Sequence, residues 1–153
     1  MISKVDKAWI DYNGHMNVAY YVLLFDQASD AFLEKIGVND TYRGQKQRSF
    51  FVAESHITYQ REVHLKDEVA IKTIFLGFDE KRIHLFHTMY DNKNGVKCAT
   101  VEIMLLHMDL VERKVVSMDE AVLGRLLDEY KYHRGVENPK EAGCAIRQLK
   151  VEV

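Results

Sequence analysis

A single long helix followed by four strands in unbroken succession is the feature that most constrains the fold of this chain. Between residues 18 and 36 the apolar side chains Val18, Tyr21, Val22, Phe25, Ala28, Phe32, Leu33 and Ile36 recur at three- and four-residue steps, the period of one buried helical face, and Gly37 ends the run. Leu24 and Ala31 make the segment greasier than a surface helix needs to be, so it is expected to lie wrapped or backed by sheet. From Phe50 onward the period drops to two. Ser55, Ile57, Tyr59, Arg61 and Val63 alternate with Glu54, His56, Thr58, Gln60 and Glu62, and similar alternation follows in 69–78, 82–90 and 96–108. The junctions are short and rich in Asp, Asn, Gly and Lys, which predicts an antiparallel meander, and a strand at 2–9 brings the count to five. A second helix is signalled by Ser117 and Glu120 in capping-box spacing and should run to about His133, before Gly135. The expectation is an α+β chain with one domain at 1–135 and a tail at 136–153 whose pattern assigns no structure.

Composition narrows the function. At 153 residues and 47% apolar content the chain suffices for one compact domain and falls short of two. A net charge of −2 without any block of like charge argues against generic binding to nucleic acid. The first residues, Met1 to Asp6, lack a charged-then-apolar leader, and no apolar run approaches the roughly 18 residues of a membrane span, so a cytoplasmic protein without a membrane partner is expected. Cys98 and Cys144 have neither disulfide-framework nor zinc-knuckle spacing and receive no role.

Chemistry concentrates directly before the long helix, where Asp11-Tyr12-Asn13-Gly14-His15-Met16-Asn17 packs a carboxylate, two amides and an imidazole into seven residues. Hydrolytic chemistry needs an activated water or a carboxylate nucleophile and stabilisation of one developing oxyanion. A helix start supplies unpaired N–H groups and partial positive charge, so the amides near Asn17 and Val18 are candidate oxyanion donors. Asp11 would attack or deprotonate water, Asn13 would orient the water or the carbonyl, and His15 would pair with Asp11 and shuttle the proton. Glu62 is a further candidate for holding the water, against the ordinary role of a strand carboxylate paired with Arg61. Around this loop Trp9, Tyr12, Tyr20 and Tyr21 offer aromatic walls for an acyl chain or a quaternary ammonium, or simply core. Lys81 and Arg82 are the best basic pair for phosphates, with Lys93, Lys97, Arg113 and Lys114 in reserve. No metal site is expected. His84 and His87, three apart, should face opposite sides of a strand, His56 and His64 would share a face but sit ~26 Å apart, and His107 reads as a core or interface imidazole.

The order of elements and the position of the loop resemble the hot-dog fold of acyl-CoA and acyl-ACP thioesterases over roughly residues 2–109. Asp11-Tyr12-Asn13-Gly14-His15-Met16-Asn17 looks like the Asp-x-Asn-x-His-x-Asn signature of plant acyl-ACP thioesterases, and Tyr59-Gln60-Arg61-Glu62 looks like their Tyr-x-Arg-Glu run. The Asp-x-x-Gly loop also resembles that of the 4-hydroxybenzoyl-CoA thioesterase relatives, in which the aspartate acts as nucleophile or base and a helix-start amide polarises the thioester carbonyl. The plant enzymes carry two such units, so their substrate does not transfer to this chain. Residues 9–17, Tyr42-Arg43 and Lys81-Arg82-Ile83-His84 look like the thioesterases of carnitine breakdown that act on betainyl-CoA. The resemblance implies a long central helix wrapped by a five-stranded antiparallel sheet with a C-terminal helix added. It also implies hydrolysis of a small or short-chain acyl-CoA, a homodimer or dimer of dimers, and no cofactor beyond the CoA of the substrate. A non-catalytic acyl-CoA-binding module is the alternative. A hot-dog hydratase or dehydratase fits less well, because the Gly-Asp-x-Asn-Pro-x-His pattern of those families is absent.

Overall fold

The computed structural model describes residues 1–133, 135–149 and 151. Five strands, β1 (Ile2–Lys4), β2 (Arg48–Tyr59), β3 (Glu68–Phe78), β4 (Arg82–Asp91) and β5 (Lys97–Asp109), form one antiparallel sheet in the order β1-β3-β4-β5-β2. Helix α1 (Val18–Lys35) lies on one face of it, α2 (Asp40–Lys46) leads into β2, and α3 (Glu120–His133) packs beside β3 through Tyr130, which meets Phe75 and Phe78 edge-on. This is the expected hot-dog arrangement: α1 buries Tyr21, Leu24, Phe25, Ala28, Phe32 and Leu33, with Phe32 against Phe75 of β3 and Phe25 over His87 of β4. Val18 and Val22, expected on the buried face, are 55% and 46% exposed. Val22 lies at the margin of the stripe that Leu24 and Phe25 centre, and Val18, in the first turn, lines an open pocket.

Four local expectations are corrected. The first strand ends at Lys4, because Asp6 accepts a hydrogen bond from the Ala8 N–H at 2.8 Å and folds Lys7–Trp9 into a 3-10 turn. Helix α2 was not anticipated; Asn39 starts it by accepting from the Tyr42 N–H at 3.0 Å, a cap that the apolar period does not register. The alternation through Val63 overruns β2, which stops at Tyr59 when the Gln60 and Arg61 N–H groups both donate to the Cys98 carbonyl at 2.8 and 3.0 Å. His64 therefore sits in the following loop and shares no strand face with His56. At α3 the first-turn amide of Val122 is taken by Asp119 Oδ1 at 3.1 Å, so Asp119 serves where Ser117 was expected to.

The buried histidines are structural, and His84 and His87 do face opposite sides of β4. His87 points at α1, 3.0 Å from Ser29 Oγ and 2.8 Å from Thr73 Oγ1. His84 lies on the other face, 2.8 Å from Glu102, and burial holds its pKa below the usual imidazole range despite the carboxylate. His107 donates from Nδ1 to the Val116 carbonyl at 3.0 Å and meets Tyr42 Oη at 2.9 Å. Among the described residues no group of three or more His, Cys, Asp or Glu side chains is placed to hold a metal ion. The stretch after Pro139, without pattern in the sequence, lies against the outer sheet face: Glu102 accepts from the Gly143 N–H at 2.7 Å and the Ala145 N–H at 3.4 Å, and Ile146 is buried.

Candidate active site

The loop before α1 is a small hairpin closed by a bridge between Ile10 and Met16. Asp11 N–H donates to the His15 carbonyl at 3.1 Å and Gly14 N–H to the Asp11 carbonyl at 3.0 Å. Gly14 sits at φ +84, a left-handed conformation that glycine adopts without penalty. Two further bonds fix the hairpin: Met16 N–H donates to the Val63 carbonyl at 2.7 Å and Asn17 N–H to the Trp9 carbonyl at 2.9 Å. The catalytic candidates are thus held between the chain entering α1 and the loop leaving β2.

Asn17 is the hinge of the site. Its Oδ1 caps α1 by accepting from the Ala19 N–H at 3.0 Å, and its Nδ2 lies 3.5 Å from Asp11 Oδ2. Asp11 is half-buried; its Oδ1 accepts from the Asn13 N–H at 2.8 Å, which leaves Oδ2 with the Asn17 amide alone. The Val18 N–H, at the head of an 18-residue helix, finds no acceptor among the described residues and keeps its donor free for a ligand.

Several assignments change. The Asn17 N–H is committed to Trp9, so of the two expected oxyanion donors only Val18 remains. His15 forms no ion pair with Asp11; its Nδ1 lies 3.3 Å from the Met16 carbonyl, and the residue lines the pocket. Asn13 contributes its backbone, and its side chain is exposed outside the pocket. Glu62 is on the loop and not on a strand, and its nearest potential ion-pair partner is His64 at 3.6 Å instead of Arg61. Trp9 and Tyr20 stack on each other at 5.4 Å, Tyr12 is 97% exposed, and only Tyr21 of the four aromatics lines the pocket. Lys81 and Arg82 lie at the β3–β4 turn, whereas the Val63 loop packs at the Cys98 end of the sheet, so the length of β4, roughly 30 Å, separates them from Asp11. Both are also paired, Lys81 with Glu80 at 3.0 Å and Arg82 with Asp79, whose carboxyl is held below its usual range by Arg82 and the turn amides in spite of partial burial.

A pocket of about 310 Å³ opens beside the head of α1, lined by His15, Met16, Val18, Tyr21, Tyr59, Gln60, Arg61 and Glu62. It brings together His15, Val18, Tyr21 and Glu62 of the expected residues and adds Met16, Tyr59, Gln60 and Arg61. The run Tyr59-Gln60-Arg61-Glu62 stands out in the sequence, but alternation alone puts its members on opposite strand faces; the end of β2 at Tyr59 is what lets all four reach one pocket. The Tyr59 ring meets Tyr21 edge-on at 5.2 Å, and burial pushes the Tyr21 phenol up to about 12. A free helix-start N–H, a neighbouring carboxylate and a small, partly aromatic pocket are what acyl transfer to water requires.

The model of the thioesterase-like superfamily matches residues 5–126. A betainyl-CoA thioesterase of Pseudomonas aeruginosa is 35% identical over 138 residues, 90% of this chain and 87% of that protein. An L-carnitine dehydrogenase/betainyl-CoA thioesterase of Rhizobium meliloti is 36% identical over 97% of this chain, which spans 30% of that longer protein. Among solved structures, a Staphylococcus aureus hypothetical protein in complex with CoA superposes with a TM-score of 0.87 at 25% identity, covering 100% of this chain and 93% of the other.

Proposed function

The chain belongs to the thioesterase-like superfamily, and from that footing we propose that it hydrolyses a small acyl-CoA, betainyl-CoA in the first instance, to the free acid and CoA. The observation that carries this reading is the free Val18 N–H on the wall of a 310 Å³ pocket, directly after Asn17, whose side-chain amide stands 3.5 Å from the Asp11 carboxylate. The thioester carbonyl oxygen accepts from Val18 N–H, where the helix dipole favours the charge that develops on it. Asp11, steered by the Asn17 amide, acts as base or nucleophile through Oδ2, and CoA leaves as a thiolate, a good leaving group. Arg61 forms no ion pair among the described residues and is the pocket's own cation for the anionic portion of CoA.

The working unit is a homodimer, or a dimer of dimers. Strand β2 is a twelve-residue edge, and Phe51 and Val52 on it and Val18, Val22 and Leu23 on α1 are exposed apolar side chains of the kind a second copy covers. Lys81 and Arg82, remote from Asp11 of their own chain, would serve CoA only in such an assembly. Among the described residues no helix is long and apolar enough to cross a membrane, in keeping with a cytoplasmic enzyme. Thiol release from betainyl, short-chain, aromatic and long-chain acyl-CoAs, measured on wild type and Asp11→Asn, tests the reading. A preference for one small acyl class and a loss of at least about a hundredfold in turnover, with binding retained, is expected. Binding without release from any thioester would leave an acyl-CoA-binding module instead.

A further inference from the structure

The pocket beside α1 holds a group of aromatic and acidic side chains that has no part in the hydrolytic step proposed above. Tyr21 is buried and Tyr59 is 48% exposed; meeting edge-on at 84° between ring planes, they present a corner of aromatic surface to the space that Met16 and Val18 also line. Burial raises both phenols, so these rings stay neutral and keep the electron-rich faces that attract cations. Beside them stands Glu62, whose carboxylate has no lysine or arginine partner among the described residues; its neighbour His64 is 3.6 Å away, and both side chains are more than half exposed. The other charged or titratable groups facing the pocket are Arg61 and His15. Arg61 repels a cation and suits the anionic end of the substrate, so the pocket carries one group of each sign for a ligand charged at both ends.

Resting on the thioesterase reading above, we infer that Tyr59 and Glu62, backed by Tyr21, form the subsite that reads the acyl group and selects a quaternary ammonium carried next to the thioester carbonyl. In a betainyl thioester the cationic nitrogen is two bonds from the carbonyl carbon. A carbonyl held at Val18 N–H therefore places the ammonium within the same pocket that Val18 lines. A tert-butyl group has the same shape without the charge, so shape alone does not separate the two substrates.

The test compares kcat/KM for betainyl-CoA and tert-butylacetyl-CoA in wild type, Tyr59→Phe, Tyr59→Leu and Glu62→Gln. Wild type should prefer the cationic substrate by about tenfold or more, the order expected for a cation–π contact reinforced by a carboxylate. Tyr59→Phe should keep that ratio, because it keeps the ring face, while Tyr59→Leu and Glu62→Gln should each lower it several-fold. Glu62 is an exposed loop residue, so its variant reads the subsite even if Tyr59→Leu does not fold. Hydrolysis of both substrates with one ratio throughout would overturn the subsite and leave the thioesterase reading standing. Hydrolysis of neither, with release from other acyl-CoAs, would overturn the subsite alone, and release from no thioester would overturn both.

Discussion

Lowering the pH from 7 to 5 should cost this protein about 2 kcal/mol of stability through His87 alone. The imidazole is fully buried, and its two neighbours define its protonation state. Ser29 Oγ spends its single hydrogen on the Phe25 carbonyl at 3.1 Å, so it accepts from His87 Nε2–H at 3.0 Å, and His87 Nδ1 in turn accepts from Thr73 Oγ1 at 2.8 Å. The neutral ring is hydrogen-bonded on both nitrogens, and a second proton would meet a hydroxyl that already donates. Burial lowers the folded pKa to about 4, against about 6.5 in the unfolded chain. Between those values the unfolded state binds the extra proton, so stability is complete above about pH 6.5 and falls as pH drops toward 4. Integrating that linkage from pH 7 to pH 5 gives about 2 kcal/mol. The assay is urea unfolding at both pH values and one protein concentration, for wild type and His87→Gln, whose amide also offers one donor and one acceptor but does not titrate. The contributions of His84 and His107, both held low by burial, are common to the two proteins and cancel in the difference. Wild type should lose about 2 kcal/mol more than the variant on acidification. Parallel losses would show that His87 is not held neutral in the fold.

Two other substitutions probe the scaffold. Gly14→Ala should lower stability by about 1 kcal/mol in the same denaturant assay, because an added Cβ meets no neighbour but φ +84 is costly for alanine, and Gly14→Asn should cost less. Glu102→Ala removes the acceptor of His84 Nε2 and of two amides of the C-terminal stretch, so limited proteolysis after residue 139 should accelerate well before the sheet unfolds; equal cleavage rates would mean that other contacts hold the stretch.

Long-range periodicity was legible, and short-range hydrogen bonding was not. The stripe through Tyr21, Phe25 and Phe32 expresses burial on a repeating geometry, which a sequence records directly, and three of the four following strands lie where the alternation puts them, although β4 and β5 are buried on both faces. The turn that Asp6 makes, the start of α2 at Asn39 and the end of β2 at Tyr59 each depend on one side chain or carbonyl meeting one particular amide. The reactive loop was legible because its residue types are concentrated, and the pairing within it was not: His15 and Asp11 are close in sequence, yet the hairpin separates their side chains. The contributions of Tyr59 and Arg61 to the pocket, and the distance of Lys81 from it, follow from which end of the sheet each occupies, a tertiary fact that no local window contains.

The double duty of Asn17 narrows what this position tolerates. Serine, threonine and aspartate all cap helices as well as asparagine does or nearly so, because each offers an oxygen to the first turn. None of them also offers an N–H in the direction of Asp11. Aspartate would keep the helix start and set a second negative charge about where the Asn17 amide now stands, 3.5 Å from Asp11 Oδ2, discouraging ionisation of the group that must be a carboxylate to work. Helix stability and reactivity are therefore drawn from one amide, and a consensus cap substitution that any other helix would absorb is here a change to the chemistry.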